Sequence, residues 1–149
     1  MRTPESEALT NLIVEIFRLN GALLLEGNRL AEPFGLSSAR WQVLGAIELA
    51  GRPLTVAQIA RRMGLTRQGV RRVVNDLEEL GMVVFSPNPD HRRAPLVSLT
   101  AGGAESLAGT DRAQSRWANA LAEGLTERQV TRALELLRTV RERLERPPS

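Results

Sequence analysis

The chain has 149 residues, of which 42% are hydrophobic, enough for the core of one compact domain. It contains no cysteine and a single histidine, which excludes disulfides, thiol-based sensing and a transition-metal site built from converging Cys and His ligands. The formal net charge is +3, and all twenty basic residues are arginine.

The N-terminal stretch is predicted to be a helix with a broader apolar face than the outer helix of a small domain needs. Its apolar residues recur at helical spacing: Leu9, Leu12, Ile13, Ile16, Phe17, Leu23 and Leu24. Glu15, Arg18 and Asn20 interrupt the stretch, so we expect no apolar run near the ~20 residues of a membrane span. Residues 2–7 do not resemble a secretory signal, and we therefore expect a cytoplasmic protein.

Capping signals predict three short helices between residues 36 and 81. The first helix is capped by Ser37 or Ser38, and its apolar positions are Trp41, Leu44 and Ile47. Thr55 and Gln58 form a capping box at the start of the second helix, and Gly64 ends it. Thr66 caps the third helix, and Gly81 ends it. The apolar stripes of the second and third helices are Val56, Ile59, Ala60 and Met63, then Val70, Val73, Val74, Leu77 and Leu80. Two capped helices joined by a glycine turn predict a helix-turn-helix.

The third of these helices carries the side chains that a DNA-reading helix needs. Its candidate DNA-contacting residues are Thr66, Arg67, Gln68, Arg71, Arg72 and Asn75. Gln and Asn can pair bidentately with adenine and Arg with guanine, each good pair discriminating by ~1–3 kcal/mol, while Arg67 near the helix start suits a phosphate. An ordinary solvated helix also has a polar face opposite an apolar stripe. The order of the signals, with a hairpin directly after the more basic helix, favours the DNA reader.

The hairpin is predicted from two apolar, β-branched segments, Met82–Phe85 and Leu96–Leu99, which flank a proline-rich loop. Arg92 and Arg93 near its tip are placed to enter a DNA minor groove, although a solvated loop would tolerate them equally. Residues 52–93 hold eight arginines against four acidic residues, a net charge of +4, more than the +3 of the whole chain. Positive charge concentrated in one segment indicates nucleic-acid binding.

Two more helices are predicted in the C-terminal third. One runs from Thr100 through Leu107 and Trp117 to Leu121. The other starts at a capping box of Thr126 and Gln129, its apolar positions are Val130, Leu134, Leu137, Val140 and Leu144, and Pro147-Pro148 follow it. Together with the N-terminal helix they expose more apolar surface than the helix-turn-helix can cover, so we expect a homodimer. The alternative to a homodimer is that these N- and C-terminal helices complete the core of a monomer.

The chain resembles the MarR-type winged helix-turn-helix transcription regulators over most of its length. The resemblance is carried by the helix pair and by the sequence Asn88-Pro89-Asp90-His91-Arg92-Arg93, followed by Leu99-Thr100 and Gly103. It implies one mainly α domain over residues 1–149, with a small β-wing. Residues 36–100 would form the DNA-binding lobe, and residues 1–34 and 101–149 the dimerisation helices. It also implies a homodimeric regulator, most often a repressor, on a pseudo-palindromic operator with half-sites ~10 bp apart.

The wing departs from the pattern of this family, which usually has Asp-x-Arg. Counting back from Leu99-Thr100 places that pair at His91 and Arg93, whereas the literal motif, Asp90 to Arg92, lies one residue earlier. Two arrangements are therefore open. Either the brace of the wing has shifted by one residue, or His91 replaces the aspartate and another group holds Arg93.

The family resemblance also implies a small effector, because aromatic acids or phenols often bind between the dimer base and the DNA-reading lobes of such regulators. The candidate contacts are Phe17, Asn20, Arg40 and Trp41, since an arginine beside aromatic rings can hold a carboxylate and a ring together. Phe17 and Trp41 lie on apolar stripes, which equally favours a role in the core.

No enzyme activity, metal or cofactor is expected, since the sequence has no nucleophile with a base, glycine-rich phosphate loop or ligand cluster. The alternative to a DNA-binding regulator is a protein-interaction module built on a winged helix. Strong salt dependence of binding to duplex DNA would distinguish the two.

Overall fold

The computed structural model describes residues 1–146; residues 147–149, with the predicted Pro147-Pro148 end, lie outside the described residues. The helices and strands, in chain order, are α1 (Pro4–Ala31), a 3-10 turn (Glu32–Phe34), α2 (Ser38–Ala50), β1 (Leu54–Thr55), α3 (Val56–Met63), α4 (Arg67–Glu79), β2 (Val83–Ser86), β3 (Leu96–Leu99), α5 (Ala101–Leu121) and α6 (Glu127–Glu145). The predicted mainly α fold with a small wing is confirmed. The chain forms two compact units, residues 1–114 and residues from 115 onward. That residues 1–149 act as one domain stays a prediction.

Side-chain caps fix the helix-turn-helix locally. The capping box of α3 is complete: Gln58 N donates to Thr55 Oγ1 at 3.2 Å, and Thr55 N donates to Gln58 Oε1 at 2.9 Å. The helix ends at Gly64, whose φ of 65° is left-handed. Thr66 Oγ1 accepts from Gly69 N at 3.1 Å and starts α4. Of the two serines proposed for α2, Ser37 is the cap.

A three-stranded antiparallel sheet completes the lobe, in the order β1-β3-β2. The strand β1, which the sequence analysis did not predict, pairs Leu54 with Val97 of β3. The sheet and the helices share one core, whose largest fully buried side chains include Leu44, Leu54, Ile59, Val70, Val74, Leu77, Val83, Val97 and Leu107. The stripes predicted for α3 and α4 are thereby confirmed apart from Leu80. Leu80, the C-cap of α4, is 51% exposed although its N–H still donates to Asp76 O, so it lies beyond the part of the stripe that the core covers.

Gly103 lies where the wing returns to the start of α5. Thr100 N donates to the carbonyl oxygen of Met82 at 3.0 Å, and the Thr100 hydroxyl donates to Gly81 O at 2.6 Å while accepting from Gly103 N at 3.0 Å. A Cβ added at Gly103 would overlap that Met82 carbonyl oxygen. The junction therefore holds the end of α4, the wing and the first turn of α5 against one another.

Most of α1 is exposed in the single chain, since only Gly27 and Ala31 of this helix are buried. The helical segment Pro4–Phe34 is long and apolar enough to cross a membrane by length and composition, since an 18-residue window within it has a mean hydropathy of 1.5. The expectation that no segment approaches this limit is therefore wrong, because Glu15 and Arg18 do not lower the mean enough. Core helices of soluble proteins and signal sequences near the N-terminus share this length and composition, so the finding alone does not assign a membrane span.

Candidate DNA interface

The polar face of α4 points to solvent. Gln68, Arg71, Arg72 and Asn75 are exposed, whereas Val70, Val74 and Leu77 are buried and fix the rotation of the helix. Thr66 is exposed, but its hydroxyl is engaged as the cap of the helix. The helix can therefore present a row of polar side chains to a partner without losing core contacts.

A groove between α4 and the wing brings several of the predicted residues together. This recognition groove, of about 420 Å³, is lined by Thr55, Val56, Ala57, Arg67, Gln68, Arg71, His91, Arg93, Ala94 and Pro95. Arg93 thus faces the same space as Arg67, Gln68 and Arg71. Arg72, Asn75 and Arg92 are exposed but do not line this groove. Of the two wing arginines, Arg93 is the one that shares a surface with α4.

Arg71 contacts the wing directly. Its guanidinium carbon lies 5.9 Å from the centre of the Phe85 ring on β2, within range of a cation-π interaction. Such a contact contributes about 0.5–1 kcal/mol at an exposed site. It restricts where the guanidinium can lie before any ligand arrives. Phe85 could not be assigned to the site from the sequence, because the contact depends on how β2 folds back beside α4.

The wing is braced by an amide and not by an ion pair. Asn88 Nδ2 donates to Ala94 O at 2.9 Å, and Asn88 Oδ1 accepts from Asp90 N at 3.1 Å. The ion pairs of residues 1–146 join Arg18 to Glu15, Arg29 to Glu26 and Arg141 to Glu145, all outside the wing. A shifted Asp90–Arg92 brace is therefore not formed in the described chain. Asn88 was not among the predicted site residues, although an asparagine in a proline-rich turn often holds the local backbone through its side chain.

The four residues proposed for an effector do not converge on one pocket. Phe17 and Asn20 are exposed on α1, and Arg40 donates from Nη1 to Gly35 O at 3.4 Å. Trp41 Nε1 donates to Asp111 Oδ1 at 3.0 Å. The Trp41 ring lines an apolar pocket of about 270 Å³, whose other walls are Gln42, Gly45, Ala46, Leu49 and Met63. Over residues 1–146, no group of three or more His, Asp or Glu side chains could hold a metal ion.

Comparison with known proteins points to one family. The sequence profile of the MarR family matches residues 34–94. An uncharacterized protein of Mycobacterium tuberculosis is 44% identical over 68% of this chain and 70% of its own length. The transcriptional activatory protein BadR of Rhodopseudomonas palustris is 28% identical over 65% of this chain and 57% of its own. The crystal structure of the transcriptional regulator BldR from Sulfolobus solfataricus superposes with a TM-score of 0.79 at 25% identity, covering 96% of this chain and 99% of BldR.

Proposed function

The chain belongs to the MarR family of transcription regulators, and from this we propose that it is a cytoplasmic homodimer that binds duplex DNA sequence-specifically and represses transcription. The observation that carries the proposal is the recognition groove, where Arg67, Gln68 and Arg71 of α4 share one surface with Arg93 of the wing. Arginine and glutamine offer the donors that read guanine and adenine edges. Arginine on a wing suits the negative potential of a narrow minor groove.

Two exposed apolar surfaces support the homodimer. On α1, Phe17 and Leu25 are each 73% exposed. On α6, exposed apolar residues recur at helical spacing: Val130, Leu134, Leu137 and Leu144. Contiguous apolar surfaces of this kind mark protein interfaces, and a second copy is the simplest partner to cover them. A two-fold axis would set two α4 helices on half-sites ~10 bp apart.

The first test is titration of the protein against DNA from upstream of its own gene and against a random duplex, each at two salt concentrations. We expect tight, selective binding to the upstream DNA and a reduced yield of transcript when the protein is added to a purified transcription reaction on that DNA. A rise in transcript would assign activation, the role named for the relative BadR, a transcriptional activatory protein. Weak binding that is equal for both duplexes would instead favour the winged-helix interaction module.

Two alanine variants in the recognition groove separate base reading from phosphate binding. Arg71→Ala is expected to weaken binding to the operator by ~1–3 kcal/mol and to leave random DNA nearly unchanged, because a base contact is lost. Arg67→Ala should weaken binding to both DNAs alike. The affinity of each variant for each duplex is measured at one salt concentration. Equal losses on both duplexes for both variants would remove the base-reading role of Arg71.

The pocket beside Trp41 is where we propose that a small aromatic or carboxylate effector binds. Its walls are almost entirely apolar and include an indole ring, which suits an aromatic ring. In a Trp117→Phe variant the only remaining indole is Trp41. We expect benzoate or phenol to quench its fluorescence saturably and to shift DNA affinity in the same concentration range, since an effector acts through its differential affinity for two states. Quenching that rises linearly without saturation would speak against a binding site.

A further inference from the structure

A second groove adjoins the recognition groove on the other side of the start of α3. This flanking groove, of about 620 Å³, has among its lining residues Arg52, Gln58, Arg61, Arg67, Asn88 and Asp90. Three separate segments contribute an arginine: Arg52 from the loop after α2, Arg61 from α3 and Arg67 from the start of α4. The fold therefore gathers on one surface three guanidinium groups from three consecutive segments.

These arginines carry charge that the protein does not neutralise. All three are exposed, and the ion pairs of residues 1–146 involve other arginines. Asp90 is the one acidic residue among the groove's lining residues. Arg52 donates from Nη1 to Pro53 O at 3.4 Å, a long bond that leaves most of its donors unused. The groove is thus positive and rich in fork-shaped donors, which match phosphate oxygens.

The side chains of Gln58 and Asn88, which also line the flanking groove, hold the local backbone. The Gln58 side-chain oxygen accepts from Thr55 N in the capping box, and both ends of the Asn88 amide brace the wing. The Gln58 side-chain oxygen and both ends of the Asn88 amide are therefore occupied, whereas the three arginines have no acidic partner among residues 1–146. This favours a sequence-independent ligand over a base.

The two grooves are continuous, since five residues line both: Thr55, Ala57, Arg67, His91 and Ala94. We propose that the flanking groove binds the DNA backbone next to the bases read by α4, with Arg52 and Arg61 as additional phosphate contacts. This inference rests on the proposed DNA-binding function. It extends the interface to residues outside α4 and the wing tip. A polymer that passes from one groove to the next fits this open, continuous surface.

The test uses the salt dependence of affinity for a random 30-bp duplex and for the upstream DNA. Arg61→Ala and Arg52→Ala should each lower the slope of log affinity against log salt by about 0.9 per protomer, equally on both DNAs, because each lost phosphate contact releases fewer counterions. Arg62→Ala is the matched control: it removes the same charge from the neighbouring exposed position of α3, and Arg62 lines neither groove. Its slope should match wild type. Arg61→Lys keeps the charge and should restore most of the slope.

The outcomes distinguish this proposal from the proposed function. Suppose that wild type binds duplex DNA. If Arg52→Ala and Arg61→Ala then keep the wild-type salt slope, or if Arg61→Ala and Arg62→Ala change the slope equally, the flanking groove is not a phosphate site. The proposed DNA-binding function would still stand. If wild type binds no duplex, both proposals fail. The last measurement is a titration of the protein with inorganic phosphate at constant ionic strength. Saturable phosphate binding that Arg61→Ala abolishes, with DNA slopes unchanged, would assign a free-anion site and overturn contact with the backbone.

Discussion

Replacing Gly103 by alanine is expected to lower the free energy of unfolding by about 1–3 kcal/mol or more, the range for overpacking a close contact. The new Cβ would overlap the Met82 carbonyl oxygen, which accepts from Thr100 N at 3.0 Å. Backbone cannot move aside as the end of a flexible side chain can. To relieve the overlap, the junction must give up this hydrogen bond or shift α5 away from the wing. Chemical denaturation at a fixed protomer concentration measures the change.

Gly102 provides the matched control, one residue earlier in the first turn of α5. A Cβ there would meet Thr100 Oγ1 at 3.7 Å and Gly81 O at 3.8 Å, ordinary van der Waals distances. Gly102→Ala should therefore be neutral or stabilise the protein by up to about 1 kcal/mol, because alanine favours the helix. Equal destabilisation by both substitutions would show that the Met82 contact does not decide the effect.

A charge on the apolar stripe of α6 is expected to have the largest effect on DNA binding. Leu134→Glu places a carboxylate on the surface that we propose a second copy covers, and an unpaired charge in a dry interface is costly. The protein should become monomeric at micromolar concentration. Operator affinity should then fall by roughly 100-fold or more, since a monomer occupies a single half-site and loses avidity. Light scattering gives the mass in solution and a DNA titration gives the affinity.

Thr139→Glu controls for the added charge, because Thr139 is exposed on α6 and lies five residues from Leu134, on the opposite side of the helix. It should remain a dimer with nearly the affinity of wild type. A dimeric Leu134→Glu variant with unchanged affinity would remove the α6 stripe from the proposed interface.

Local signals made the helices predictable. The caps at Thr55 and Thr66 form with their own next turn, so residue identity at three-residue spacing was sufficient to place α3 and α4. Helical periodicity predicted which side chains of α3 and α4 pack toward the core, except for Leu80, the C-cap of α4, which the core does not cover. The expectation that α1 could not span a membrane rested on the polar residues within it. The charges of Glu15 and Arg18 are too few to lower its mean hydropathy below that of a membrane span.

Features that depend on distant pairing were not predictable. The strand β1 has two residues and exists through its pairing with β3, some forty residues later in the chain. The Arg71–Phe85 contact joins two elements whose approach is set by the sheet. The flanking groove combines arginines from three segments. The two alternatives left open for the wing both concerned the group that holds an arginine, whereas the side chain that closes the loop is Asn88.

The Asn88 brace has a consequence for how the protein responds to its ionic surroundings. Amide hydrogen bonds carry no net charge, so added salt should not loosen the wing, unlike a loop held by exposed opposite charges. The amide does not titrate, so acidification should not release the loop either. Changes of affinity with ionic strength would then report counterions displaced from DNA by a wing of constant shape. A regulator built this way would sense the cell's salt through its operator and not through its own conformation.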